Sequence, residues 1–177
     1  ELDRSYSEQN LKYDIAQVRA LRAFAYFYMV RIWGDVPLVT YSYDNGTFPS
    51  MPRTDAQTVL SYAKAELLTA IKDLPYQYGT QTNLYYGSYG AQWQGKLFNK
   101  LSAYSVLAHI CAWQGNYAEA ETYSSFILDH ASEINAKYTS IADLTSETGL
   151  FYSNASVKGS RILGFNFAHN DNEATQS

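Results

Sequence analysis

The chain has 177 residues, of which 46% are hydrophobic and 17% are charged, a balance typical of a folded globular domain. Its formal net charge of -4, with 13 lysines and arginines, leaves no basic surface for a phosphate backbone, so nucleic acid is excluded as an expected partner. The longest apolar run, 23–30, falls far short of the roughly 20 residues that a membrane-spanning helix needs.

The first predicted helix spans residues 15–33 and carries apolar residues at helical spacing. The expected core-facing stripe consists of Val18, Leu21, Ala25, Tyr28 and Ile32. Other apolar residues widen this stripe, which indicates a helix buried on more than one side. Gly34 and Pro37 specify its end, because glycine tolerates the left-handed conformation and proline cannot continue a helix.

A loop over 35–53 leads to a second predicted helix, 55–74. Thr54 and Gln57 have the three-residue spacing of a capping box, in which each side chain bonds the other residue's backbone amide. The apolar stripe of this helix comprises Leu60, Ala63, Leu67, Ala70 and Leu74. Pro75 ends the helix.

Two further helices are predicted over 97–114 and 117–131, joined by a short turn at Gly115. Apolar residues surround the third helix, which indicates burial on two sides. The fourth has a face of mostly small residues, Tyr117, Ala120, Ser124, Ile127 and Ala131. A short strand is expected over 161–167. The sequence therefore predicts a mainly α fold of paired antiparallel helices with long loops, in a single helical domain over 1–177.

The segment between the second and third helices is long, glycine-containing and rich in aromatic residues, and segments of this length are usually functional or disordered. A flat ring can stack on a sugar while neighbouring amides and hydroxyls bond its hydroxyl groups. The candidate ligand-binding residues are Asn83, Tyr85, Tyr86, Tyr89, Gln92 and Trp93. An alternative is that this segment docks onto another part of the protein or onto a partner, since interface cores are enriched in the same residue types. That enrichment favours docking.

Three arginines, Arg19, Arg22 and Arg31, lie on the crowded first helix, where a charge needs a carboxylate or carbonyl partner. Asp35 is the first candidate partner, four residues after Arg31. A contact with an anion or a sugar hydroxyl is the alternative. We interpret the four residues as structural, because buried charges are nearly always paired.

The sequence contains no phosphate-binding loop, nucleophile elbow or His-Glu zinc pattern. His109 and His130 have no second ligand at metal-binding spacing, and Cys111 is the single cysteine. Glu119 and Glu121 are interpreted as a solvated face. We therefore expect no catalytic residue, no metal site and no cofactor.

The run over 106–120 resembles a tetratricopeptide repeat. In such repeats a glycine such as Gly115 closes the turn, a tyrosine such as Tyr117 opens the return helix, and an alanine such as Ala120 permits close approach.

The runs over 18–27 and 31–38 resemble the signature of SusD-like (SusD/RagB) proteins, and three further stretches match in the same order: Arg53, 67–75 and 95–103. The resemblance covers about 16–131. Two positions depart from the family pattern: Lys96 stands where arginine is usual, and the acidic residue that usually precedes the late strand is replaced near 160–161.

This resemblance implies a surface lipoprotein of the bacterial outer membrane, held by a lipid anchor that is not in this chain. Proteins of this kind are not enzymes; they bind oligo- or polysaccharides and deliver them to a SusC-like TonB-dependent transporter. The alternative is a tetratricopeptide-type scaffold for protein or peptide, including RagB-like peptide capture. Because family members are longer, the chain is expected to be an incomplete piece of a larger SusD-like fold.

Overall fold

The computed structural model of the chain describes residues 7–43, 46, 49–78, 95–136 and 162–163. These residues form α-helices α1 (Glu8–Trp33), α2 (Ala56–Ala70), α3 (Lys100–Trp113) and α4 (Tyr117–Asp129), followed by a 3-10 helix, Ala131–Ile134. The described part of the chain is therefore mainly α, as the sequence predicts.

The helices nest as two antiparallel pairs. In the first pair, Arg19 of α1 meets Glu66 of α2, while Asp35 just after α1 meets Ala56 at the start of α2, so the two chain directions oppose each other. In the second pair, α3 packs on α4, and α2 also contacts α3, which joins the pairs into one array. This is the helix arrangement of tetratricopeptide repeats and confirms the predicted fold class.

The face that α1 presents to the core is not the predicted one. Its buried residues include three alanines, Ala16, Ala20 and Ala23, which let α2 approach closely, together with Tyr26, Phe27 and Val30. The predicted stripe lies on the outer side, where Val18, Leu21 and Ile32 are exposed. The prediction was wrong because α1 has apolar residues on two sides, and helical spacing alone does not show which side meets α2.

Local hydrogen bonds fix the ends of α1. The helix begins at Glu8, seven residues before the predicted start, because the Ser7 side chain accepts a hydrogen bond from the amide of Asn10 at 3.1 Å. It ends as predicted at Gly34, which adopts a φ of 68° that other residues rarely take.

The start of α2 differs from the predicted capping box. Thr54 forms an isolated antiparallel bridge with Val36, and Asp55 is the N-cap, its carboxylate accepting from the amide of Thr58 at 3.0 Å. The helix ends at Ala70 and is followed by a turn over 71–73, so it is shorter than predicted. All five residues of the predicted α2 stripe are buried, including Leu74 beyond the turn.

Local capping interactions also set the bounds of the helices in the second pair. Asn99 and Ser102 form a capping box, so α3 begins three residues later than predicted, at Lys100. Eight of its residues are buried, which confirms that α3 is covered on two sides. Gly115, with a φ of 78°, makes the predicted turn into α4.

The small-residue face predicted for α4 is only partly present. Ala120 is buried, but Tyr117 is 72% exposed and Ser124 is also exposed. The physical reason is position: α4 packs against α3 and the 3-10 helix and is the outer helix of the described array. The predicted strand over 161–167 lies outside the described residues except for Ile162 and Leu163, and Leu163 packs against the core.

Candidate functional site

The candidate ligand-binding residues 83, 85, 86, 89, 92 and 93 lie outside the described residues, but both flanks of their segment are described. Tyr78 before the segment and Phe98 after it are buried side by side against α1. Tyr13 contacts the ring of Tyr78 edge-on, with centroids 6.4 Å apart. The segment therefore leaves and re-enters the core at one place.

The side chain of Gln17 on α1 forms hydrogen bonds with both flanks. Its amide oxygen accepts from the backbone amide of Phe98 at 2.9 Å, and its amide nitrogen donates to the carbonyl of Phe98 and to the hydroxyl of Tyr78. The Tyr78 hydroxyl in turn donates to the carbonyl of Phe98. Burial raises the pKa of Tyr78 far above its ordinary value, so the hydroxyl stays protonated and keeps this donor role. We call these three residues the Gln17 clasp.

A second polar cluster joins α1 to α2. Glu66 is buried on α2, and its carboxylate accepts from Arg19 at 2.9 Å and from Arg22 through its other oxygen. The hydrogen bond to Glu66 raises the pKa of Arg22. The Arg22 guanidinium also lies 5.6 Å from the ring centre of Tyr62. Two arginines thus share one carboxylate, which leaves this cluster with a net positive charge.

A shallow groove of about 300 Å³ opens beside this cluster on the outer side of α1. Its lining residues are Asp14, Ile15, Val18, Arg19 and Arg22. The Nε of Arg22 is buried and has no hydrogen-bond acceptor among the residues that the structure describes. The groove thus combines the apolar surface of Ile15 and Val18 with three charged side chains.

Arg31 does not pair with Asp35, so that prediction was wrong. The Arg31 guanidinium lies over three aromatic rings, those of Phe27, Tyr28 and Trp113, at 5.4 to 5.5 Å from their centres. The Asp35 carboxylate instead accepts from the amide of Ala56 at 2.9 Å. Asp35 therefore satisfies an N-terminal amide of α2, where the helix dipole favours a negative charge.

A third polar cluster connects the helix pairs. Lys64 of α2 bonds Glu119 of α4, and the same carboxylate accepts from Asn116 and, at 3.2 Å, from Tyr123. The hydrogen bond from Lys64 lowers the pKa of Glu119. Burial alone would lower the pKa of Lys64, but the bond and charge of Glu119 outweigh burial and raise it. Glu119 is therefore not part of a solvated face, contrary to the sequence interpretation.

His130 and Cys111 have structural surroundings. The His130 ring stacks between Tyr76 and Phe126, at 5.8 and 4.0 Å between ring centres, and its Nδ1 lies 2.8 Å from the carbonyl of Phe126. Burial raises the pKa of Cys111, which keeps the thiol protonated. Across the described ranges, no three His, Cys, Asp or Glu side chains gather to hold a metal ion.

Sequence reasoning missed the partners of these clusters but had a signal for one of them. Glu66 lies three residues after Ala63 and four before Ala70, so it falls within the apolar stripe of α2. An acid in such a stripe predicts a buried cationic partner. For Gln17 no sequence signal existed, because its partners lie 61 and 81 residues away.

The described residues form paired helices of tetratricopeptide type. Polar clusters hold these helices together, and one of them also holds the two residues that flank the aromatic segment. No family model matches the chain. It is 26% identical over 168 residues to the SusD-like protein P38 of Formosa agariphila, covering 91% of this chain and 30% of that protein.

Two solved structures share the fold. A SusD superfamily protein from Bacteroides thetaiotaomicron is 98% identical with a TM-score of 0.85, covering 94% of this chain and 36% of that one. A laminarin-binding SusD-like protein is 25% identical with a TM-score of 0.58, covering 78% of this chain and 26% of that one. These matches confirm the SusD-like resemblance. The chain spans about a third of the length of these proteins.

Proposed function

We propose that this chain is the helical scaffold of a non-enzymatic glycan-binding protein at the bacterial cell surface. The observation that carries the proposal is the shared helix array with a structure described as a laminarin-binding SusD-like protein. The ion pairs of Glu66 and Glu119 join neighbouring helices, and such contacts favour a rigid scaffold. Binding is then the function of the assembled protein, with no chemical step.

The Gln17 clasp supports a role for the aromatic segment in ligand binding. It holds residues 78 and 98 together on α1, so the two residues that flank the segment are fixed at one place. That segment carries Asn83, Tyr85, Tyr86, Tyr89, Gln92 and Trp93. We propose that these side chains contact the glycan, with rings stacking on the sugar and amides bonding its hydroxyls. Docking of the segment onto another part of the protein remains the competing proposal.

Native electrophoresis of the full-length protein in gels containing laminarin and a panel of other neutral polysaccharides tests the proposed ligand class. Slower migration in at least one gel, relative to a polysaccharide-free gel, is the expected result. Bovine serum albumin run beside it controls for gel viscosity. Migration unchanged in every gel would contradict glycan binding.

The proposed partner is a SusC-like TonB-dependent transporter, to which the protein delivers its ligand as a lipid-anchored lipoprotein of the outer membrane. No helix in the described ranges has the length and apolar character needed to cross a membrane. Purification of the tagged protein from detergent-solubilised outer membranes should recover a TonB-dependent transporter, and recovery of the protein without one would count against this partner.

Peptide capture of the RagB type is the second candidate function. The helix array supports it equally, because paired helices of tetratricopeptide type also form peptide-binding scaffolds. Calorimetric titration of the full-length protein with a mixed peptide digest separates the two functions. Heat from peptides together with unretarded migration in every polysaccharide gel would favour peptide capture.

A further inference from the structure

Arg31 carries a positive charge that pairs with no described carboxylate. Asp35, the acidic residue nearest to it in sequence, bonds the amide of Ala56. Across the described ranges no side chain or carbonyl accepts a hydrogen bond from the Arg31 guanidinium, whereas the other two arginines of α1 share one carboxylate. The helix dipole favours a cation in the last turn of α1, where Arg31 lies, but the five N–H donors of its guanidinium remain available.

Three aromatic rings hold the Arg31 side chain in place. The guanidinium lies 5.4 to 5.5 Å from the ring centres of Phe27, Tyr28 and Trp113, so rings from both α1 and α3 contact it. Phe27 is buried, while Trp113 is 53% exposed and Arg31 is also exposed. Because the rings already restrict the Arg31 side chain, binding of a ligand to its guanidinium costs less conformational entropy.

The chemistry of Arg31 and its surroundings favours a carboxylate that is attached to a sugar. A guanidinium presents parallel N–H donors in one plane, and the two oxygens of a carboxylate match them as a bidentate pair. The exposed ring of Trp113 lies beside the cation and offers a flat surface on which the apolar face of a sugar can stack. A neutral sugar would leave the charge unpaired, and a small anion would leave the ring uncovered. A sugar that carries a carboxylate fits both features.

We propose that Arg31 and Trp113 form a binding site for a uronic acid unit of an acidic polysaccharide, an inference that rests on the proposed glycan binding. The carboxylate accepts hydrogen bonds from the Arg31 guanidinium while the sugar ring stacks on Trp113. The site is separate from the aromatic segment, because Gln17, which holds the flanks of that segment, lies 14 residues before Arg31 on α1, or about 21 Å at 1.5 Å per residue. Retention by neutral polysaccharides should therefore not depend on Arg31.

Calorimetric titration of the full-length protein with oligosaccharides of alginate, polygalacturonate and hyaluronan tests the site, and the carboxyl-reduced form of each is the neutral control. We expect at least one acidic oligosaccharide to bind at least about tenfold more tightly than its reduced form. Arg31→Gln should remove this preference. Lys72→Gln, which removes the same charge from the exposed turn at the far end of α2, should keep it.

Each other outcome overturns the proposal. No preference for any acidic form in the native protein would show that the site takes no uronic acid, a result that does not depend on how the variants fold. Equal losses in Arg31→Gln and Lys72→Gln would show an effect of net charge alone. Tighter binding of poly-glutamate than of every acidic oligosaccharide, lost in Arg31→Gln, would assign Arg31 to an acidic peptide. The proposed glycan binding is judged separately, by migration of the native protein in the neutral polysaccharide gels.

Discussion

The ammonium of Lys64 lies 2.5 Å from both carboxylate oxygens of Glu119, so this ion pair connects α2 of the first helix pair to α4 of the second. Neither side chain is fully exposed, with 23% and 34% of their surfaces accessible. Asn116 and Tyr123 also donate to the carboxylate, which restricts its rotation. The relative placement of the two pairs should therefore depend on this contact.

A double-mutant cycle with Lys64→Met and Glu119→Gln measures the strength of this pair. We expect a coupling free energy of about 1 kcal/mol, since the pair is partly solvated and screened. Urea unfolding of the four proteins gives the value. Glu121→Gln, on the exposed side of α4, is the matched control and should change stability by less than about 0.5 kcal/mol. A coupling indistinguishable from zero would mean that the pair does not join the helices.

The same pair predicts a pH dependence. The pKa of Glu119 is lowered in the folded state, so its contribution is present above its unfolded pKa and is lost as pH falls through the folded value. The difference in unfolding free energy between the native chain and Glu119→Gln should thus be constant near neutral pH and shrink below about pH 4. Urea unfolding across this pH range tests it. A difference that grows with acidity would contradict the assigned direction.

Glu66→Gln should destabilise the first helix pair. The substitution removes the charge that Arg19 and Arg22 share, and leaves two arginines facing a neutral amide. Because both arginines keep about a third of their surface in water, we expect a loss of about 2 kcal/mol rather than the larger cost of a fully buried pair. Thermal unfolding followed by circular dichroism measures it.

Glu8→Gln is the control for that substitution. Glu8 pairs with Lys12 at the exposed start of α1, so its loss should change stability by less than about 0.5 kcal/mol. Equal effects at positions 8 and 66 would show that the buried cluster contributes no more than a surface pair.

Leucine truncations test the core assignment. Leu107→Ala should cost about 2 to 5 kcal/mol, because Leu107 is fully buried on α3 and its removal leaves a cavity. Leu128→Ala, on the exposed side of α4, should cost less than about 1 kcal/mol. Chemical unfolding gives both values. Similar losses would mean that α4 is covered on its outer side.

Gln17→Ala should loosen the aromatic segment. The substitution removes the bonds to Tyr78 and Phe98, and we expect a loss of about 1 to 3 kcal/mol and faster proteolysis between residues 78 and 98. Limited proteolysis with mass spectrometry locates the cut. The control is Gln114→Ala, which removes one exposed bond to Gln57 and should leave the cleavage pattern unchanged. Unchanged cleavage in Gln17→Ala would show that the clasp does not hold the segment.

Sequence patterns predicted the helices and their pairing but not which side of α1 faces α2. Periodicity measures how apolar a face is, and α1 has two such faces, of which the buried one contains three alanines. Close approach to α2 selects the alanines Ala16, Ala20 and Ala23, a choice that depends on the partner helix. For Ala120 the expected close approach of two helices was correct, because its partner helix α3 is adjacent in the chain.

The polar clusters were less predictable than the helices. Arg19 and Arg22 were expected to need a carboxylate, yet Glu66 comes from a helix 44 to 47 residues later. Local spacing favoured Asp35 as a partner for Arg31, but the amide of Ala56 takes its carboxylate. Contacts between residues distant in sequence depend on how the helices are arranged, and no single-sequence pattern reports that arrangement.

The central claim, that the helical scaffold supports an aromatic segment which binds glycan, is tested most directly by two tryptophan substitutions in the full-length protein. Trp93→Ala removes a ring from the segment, and Trp33→Ala removes an exposed ring from the end of α1. The measurement is migration in a gel containing a polysaccharide that retards the native protein. We predict that Trp93→Ala loses most of the retardation and Trp33→Ala keeps it, with helicity unchanged in both. Full retardation of Trp93→Ala would contradict the account.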